Sequence, residues 1–339
     1  MPGLGKTIKM GNTKMILVLC ETSSIWNDFV SRSTQNNIFC HTEFLNALNV
    51  DYDLWMVEEN GQFQAGAIIL RENNEILASP YDYTMYQGLI FAGHRDNFPS
   101  HRRTKWTLEI VGTLLTGLSE RYDRLSFCLH YTHDDLRAFQ WFHYHEPELG
   151  QFRISLYYTG LVSLTVPTDF ETYLSTIRQT RRNLYRQAIA HGLTVEASQD
   201  VDIFDRLYRL TFARQGITLS DKLSSLARSI VSAALDHRFG ELLICWTTRG
   251  EPASATLFLH DEKCGYYLFG ANDPAYHKLN SGTYLLLENI RRCQARGLKW
   301  VDVVGINSPQ RGDFKTSCNA VPVPYFVVTW EKPQSPGSD

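Results

Sequence analysis

Three strand-like runs, Glu241–Thr247, Ala253–His260 and Cys264–Gly270, follow one another with no helix between them, and a helix then opens at Ser281. Strict strand–helix alternation has no place for such a meander, so a doubly wound parallel sheet does not fit. Ahead of the meander the pattern predicts a strand at Leu161–Val166, a helix from Thr168 to His191, and two more near Val201–Arg214 and Asp221–Phe239. Thr168-x-x-Glu171 reads as a capping box, and Gly192 and Gly240 as helix stops. Strands at Trp300–Val304 and Tyr325–Trp330 follow the Ser281–Arg296 helix. The first half repeats the logic in shorter form. Met15–Cys20 is a strand, and Leu54–Glu59 and Gln64–Leu70 flank Asn60-Gly61, a hairpin signal. A helix from Pro99 to Arg121 carries Trp106, Ile110, Leu114 and Leu118 on one face; a strand at Arg124–His130 and a short helix at Asp134–Tyr144 follow. The expectation is a mixed α/β chain of two tandem units, 15–150 and 151–331, each a mixed central sheet flanked by helices, with flexible tails at 1–14 and 332–339.

With 339 residues, 43% of them hydrophobic, the chain can bury two cores and is not of the disordered class. Its net charge of −3 excludes a polybasic binder. The Met15–Cys20 run is too short for a membrane span or a typical signal core, which points to a cytoplasmic protein. Seven scattered cysteines without a CxxC pair argue against a disulfide framework and a zinc ribbon, and no metal is expected. Gly3-Leu-Gly-Lys-Thr7 lacks the first glycine and the preceding strand of a phosphate loop.

Two segments carry candidate binding chemistry. In the helix from Thr168, Leu174, Ile177, Leu184 and Ala188 form an apolar seam whose missing member is Arg181. Arg178, Arg182 and Arg186 stand beside it, and no acidic residue occurs between Thr172 and Val195. Four such guanidiniums serve either as a solvated basic face or in phosphate or carboxylate capture. The stretch Lys278-Leu-Asn-Ser281-Gly282-Thr283 lies between a strand and a helix start, where backbone N–H groups hold an anion or Ser281 simply caps the helix. Tyr81, Tyr83 and Tyr86 before Gly88 line a substrate groove or pack in a core.

Five stretches resemble one family. RQTRRNLYRQAIAHGLTVE (Arg178–Glu196), FGANDPAYHKLNSGTYLLLENIRRCQARGLKWVDVVG (Phe269–Gly305) and RGDFKTS (Arg311–Ser317) are similar to second-domain elements of Fem-type peptidyltransferases, tandem-domain members of the GNAT acyltransferase superfamily. NIFCHTEFLNAL (Asn37–Leu48) and SPYDYTMYQGLIF (Ser79–Phe91) resemble their first-domain motifs. The resemblance implies amide formation by transfer of an aminoacyl group from aminoacyl-tRNA, a transient partner, or of an acyl group from coenzyme A, onto the amine of a small-molecule or peptide acceptor. No tightly bound cofactor is implied. Lys315, in the Phe-Lys element, is the implied stabiliser of negative charge during transfer, with Tyr267, Asp302 and Asp313 as candidate proton handlers or orienting groups. Arg178, Arg181, Arg182, Arg186, Lys278, Ser281, Gly282 and Thr283 are the expected donor-binding residues, and Tyr83 and Tyr86 the expected substrate-binding tyrosines. Coenzyme A–dependent relatives carry two small residues in the pyrophosphate loop, where this chain has Ser281 and Thr283 around one glycine. Cell-wall relatives use a first-domain lysine, whereas Ser33–Leu70 here has neither Lys nor Arg. The alternative class is a catalytically silent binding protein that keeps the fold.

Overall fold

A computed structural model describes residues 7–10, 13–166 and 169–333. The segment 3–6 of the glycine-lysine motif, Thr168 of the expected capping box and the tail from 334 lie outside the described residues. The described residues divide into two compact units, one holding those up to Asn46, Val50–Tyr157 and those from Pro324, the other those of Tyr158–Val323 with Ala47–Asn49. The division differs from the sequence reading at three places: Ala47–Asn49 belongs with the second unit, and 151–157 and 324–331 belong with the first.

In the first unit β1 (Thr7–Met10), β2 (Thr13–Leu19), β3 (Asp51–Glu59), β4 (Gln62–Glu72) and β5 (Glu75–Ile76) form an antiparallel sheet in chain order, with β6 (Leu89–Phe91) also on β4. The β3–β4 hairpin closes on Asn60 and Gly61, whose φ values of 52 and 78° are the left-handed pair that this turn needs. Helices α1 (Ser23–Ser31), α2 (Thr42–Ala47) and α3 (Ser100–Ser119) flank it. The predicted face of α3 is the buried one: Trp106, Ile110, Leu114 and Leu118 join Leu17, Val57, Phe91 and Phe127 in one core. Strand β7 (Arg124–Cys128) follows, but the helix expected over Asp134–Tyr144 shrinks to α4 (Arg137–Gln140). His143 takes a left-handed backbone there (φ 54°) and its Nδ1 bonds the Gly150 carbonyl at 2.9 Å, which ends the helical path.

Strand β8 (Arg153–Ser163) leads into the second unit. The long helix expected from Thr168 is two helices, α5 (Phe170–Thr176) and α6 (Gln179–Ala190). Asp169 caps α5 by accepting from the Thr172 N–H at 2.8 Å. The Ser175 and Thr176 hydroxyls bond back to Thr172 and Tyr173 carbonyls, and Ile177 turns into the core, so the path breaks before Arg178. Next come β9 (Thr194–Ser198), a strand absent from the sequence reading, then α7 (Val201–Ala213) and α8 (Asp221–Asp236). The predicted meander is β10 (Gly240–Trp246), β11 (Pro252–His260) and β12 (Cys264–Asn272). Helix α9 (Ser281–Ala295) crosses over to β13 (Trp300–Asp302), which runs parallel to β12, as a strand reached by a crossover helix can. The sheet of this unit runs β8-β13-β12-β11-β10-β9. Helix α10 (Pro309–Thr316) follows, and the chain returns to the first unit in β14 (Val321–Glu331), which pairs with β7. Lys332, assigned to a tail from sequence, is held by Asp123 through its N–H at 2.8 Å and its ammonium at 3.1 Å. Among the described residues no helix is long and apolar enough to cross a membrane.

Candidate active site

The parallel pairing of β12 with β13 ends at Tyr266 opposite Asp302, while β12 runs on to Asn272. The β11–β12 register shifts between Leu257, opposite Phe269, and Phe258, opposite Tyr267, which leaves Leu268 as the extra residue of a bulge. Beyond Asp302 the chain turns sharply, with Val304 at φ 49° and Gly305 at φ 54°. A left-handed backbone is costly for a β-branched residue and persists only where its surroundings hold it. Here Asp302, fully buried, accepts the Val304 N–H at 2.8 Å and the Thr159 hydroxyl on the same Oδ1, and the Val303 N–H bonds the Gly160 carbonyl at 2.9 Å.

That turn aims the Val304 and Gly305 carbonyls at Lys315 of α10, whose Nζ donates to both. Its ammonium lies 5.2 Å from the centre of the Tyr267 ring. Burial pulls the Lys315 pKa down to about 8; the Asp302 carboxylate opposes the fall and Arg311 adds to it. Tyr267 stacks on Phe258 at 5.3 Å, and burial pushes its hydroxyl up to about 12, so it holds its proton at neutral pH. Three of the four candidate catalytic residues, Lys315, Tyr267 and Asp302, therefore meet where β12 and β13 part. Asp302 has no exposed surface, so it orients the turn instead of meeting a substrate. Asp313 lies apart. Its exposed carboxylate takes both Arg178 nitrogens at 2.8 and 3.1 Å, which holds it below the ordinary carboxylate range.

The first turn of α9 stands beyond the end of β12. Asn280, in a left-handed conformation (φ 61°), precedes the helix and gives it no side-chain cap. Ser281 is the first helical residue, so it is not the cap that the sequence allowed. Among the described residues the opening N–H groups of this 15-residue helix have no N-cap side chain, an arrangement suited to an anion. Gly282 backs onto the strand end: a Cβ there would come within 2.7 Å of Asn272 Oδ1. Ser281 and Thr283 are buried and Lys278 is exposed on the preceding turn.

Four unpaired arginines were expected on α6, and the structure corrects that. Arg178 pairs with Asp313; Arg181 donates through Nε to Ser317 Oγ at 2.7 Å and lies 4.6 Å over the Phe314 ring. Arg182 donates to the Ser175 and Ile177 carbonyls at 2.6 and 3.1 Å, closing the end of α5. Only Arg186 is exposed without a partner among the described residues. In the first unit, Tyr86 is 1% exposed at the centre of a cluster with Phe39, His130, Tyr131 and Tyr325, so it is a packing residue and not a substrate contact. Tyr83 is half-buried; both tyrosines have left-handed backbones, φ 62 and 56°. Thr159, Val304 and Ser317, which contact Asp302, Lys315 and Arg181, were not among the residues expected from sequence.

A bulged strand, a parallel neighbour that stops short and an uncapped crossover helix agree with what comparison shows: residues 173–316 match the acetyltransferase (GNAT) domain family. Among solved structures, FemX matches with a TM-score of 0.66 at 13% identity, over 91% of this chain and 96% of that one. A tandem GNAT protein from the clavulanic acid biosynthesis pathway matches with a TM-score of 0.54 at 10% identity, over 95% of this chain and 100% of that one. The C-terminal domain of a putative lysylphosphatidylglycerol synthetase from Agrobacterium fabrum matches with a TM-score of 0.54 at 11% identity, over 91% and 92%. No curated protein matches in sequence. The fold is that of the tandem GNAT proteins, and the stretch that matches the GNAT family lies in the second unit.

Proposed function

We propose that the chain forms an amide bond, transferring an aminoacyl group from aminoacyl-tRNA onto the amine of a small-molecule or peptide acceptor. The observation that carries the reading is the Lys315 ammonium, half-buried beside the protonated Tyr267 where β12 and β13 part. Amine attack on an ester or thioester carbonyl places negative charge on its oxygen, and a fixed cation stabilises that charge more than the ground state. As the tetrahedral centre collapses, the C–O or C–S bond breaks and the leaving atom takes the Tyr267 proton, while the proton shed by the new amide nitrogen restores the Tyr267 hydroxyl. The donor's phosphates face the uncapped first turn of α9.

The start of α9 supports the RNA carrier. Buried Ser281 and Thr283 crowd the turn that a wrapped pyrophosphate would enter, and a single glycine remains. Acyl-CoA is the second reading, favoured by that same uncapped turn. With aminoacyl-tRNA as donor, product formation should vanish after RNase treatment and fall steeply with added salt, as polyanion binding does. Full activity with acetyl-CoA after RNase would establish the second reading in its place.

The assignment of Tyr267 has its own test. A Cβ at Gly270 would lie 2.1 Å from the Tyr267 hydroxyl oxygen, so Gly270→Ala must push that hydroxyl aside. Gly270→Ala should lower turnover as Tyr267→Phe does, on the order of a hundredfold, with donor binding retained. Normal turnover in both variants would remove Tyr267 from the chemistry.

A further inference from the structure

Helix α10 carries Lys315 yet buries none of its side chains completely. Its last turn is held by α6. The Arg178 N–H donates to the Ser317 carbonyl at 3.0 Å, and Arg181 Nε donates to Ser317 Oγ at 2.7 Å. Ser317 Oγ in turn donates to the Phe314 carbonyl at 2.5 Å, while the Arg181 guanidinium covers the Phe314 ring. Phe314 and Ser317 bracket Lys315 in the chain, so the contacts of Arg181 set where α10 ends and where the lysine stem leaves it. We propose that Arg181 is a positioning residue for Lys315, acting through Ser317 and Phe314, and is not a contact to the donor. The inference rests on the catalytic reading of Lys315 and extends it. A planar guanidinium suits this place because one face covers a ring while an edge N–H donates, which an ammonium cannot do at once. Arg178, by contrast, reaches Asp313 at a largely exposed surface, and solvent screens that pair.

The test needs no substrate. The full-length protein is trace-labelled with acetic anhydride from neutral to alkaline pH, and acetylation of Lys315 is compared with that of exposed Lys278 by peptide mass spectrometry. The groups facing Lys315 are Asp302 on β13, Tyr267 on β12 and Arg311 on its own helix, and all three stay in place in every variant. Lys315 should titrate near 8 in the wild-type chain. In Arg181→Ala and Ser317→Ala the titration should rise toward the ordinary lysine value as the ammonium gains water. Arg181→Lys should restore it in part, and Arg178→Ala should leave it unchanged. Turnover of Arg181→Ala should fall about tenfold or more with KM unchanged, because a small misplacement of a catalytic group costs rate. A Lys315 titration identical to wild type in both Arg181→Ala and Ser317→Ala overturns the proposal, as does a raised KM with unchanged kcat, the mark of a donor contact. If Arg181→Ala fails to fold, Ser317→Ala decides. Normal turnover in Lys315→Ala would end the catalytic reading, yet the positioning of the side chain would still be read from its titration.

Discussion

Lys315→Ala is expected to fold, to bind the donor and to turn over on the order of a hundredfold more slowly or worse, the usual cost of removing one stabiliser of a developing oxyanion. The loss should fall on kcat, since the cation meets full negative charge only in the tetrahedral state. Lys315→Arg should recover only part, because the guanidinium is longer and planar. Stability should not explain the loss. The folded-state pKa of about 8 lies below the ordinary 10.5, so the partly desolvated ammonium is a cost to the fold. That cost is complete below about 8 and relieved as the pH rises to the ordinary value. The variant should therefore keep the wild-type thermal midpoint near neutrality or exceed it. The same pKa sets the pH profile: charge stabilisation is present while Lys315 is protonated, so wild-type turnover should decline as pH rises through about 8.

Asp302→Ala should have the largest effect on stability. Its Oδ1 accepts both the Val304 N–H and the Thr159 hydroxyl, and the side chain is fully buried. Each buried donor left unpaired costs about 1–3 kcal/mol, so a loss of roughly 3 kcal/mol is expected, together with release of the left-handed Val304. Turnover should fall with it, because Lys315 donates to the carbonyls of that turn. Asp302→Asn separates charge from geometry. The amide oxygen still accepts both donors, so the fold should hold, but the carboxylate that raises the Lys315 pKa is gone. The alkaline limb should then move to lower pH. An unshifted limb in Asp302→Asn would show that the charge of Asp302 does not reach Lys315.

The parts of this site that were legible in the chain are those set by neighbours in sequence. The meander, the crossover helix and the buried face of α3 follow from apolar spacing and from turn residues such as Asn60-Gly61. The Phe314-Lys315 pair was found through its resemblance. The arginines were misread because their partners are remote: Arg178 and Asp313 lie 135 residues apart, and Ser317 is as distant from Arg181. Local sequence shows four cations without an acid; only the fold brings α10 against them. Val304 was read as the end of a strand because a β-branched residue between Val303 and Gly305 gives no sign of a left-handed turn. The break at Ile177 was hidden for a similar reason, since its apolar side chain continues the helical seam while its backbone leaves the helix. Tyr86 shows the converse: an aromatic run beside a glycine suggests a groove, and burial against Phe39 and Tyr325 makes it a core.

The central claim is that the second unit transfers an acyl group to an amine through Lys315. The full-length chain and its Lys315→Ala variant, each incubated with aminoacyl-tRNA and separately with acetyl-CoA over a library of small amines and peptides, can be compared by mass spectrometry of the acceptors. The account predicts an N-acylated product from the wild-type chain that depends on one donor and is reduced on the order of a hundredfold in the variant. Equal product from both proteins, or no product from the wild-type chain with either donor, would contradict it.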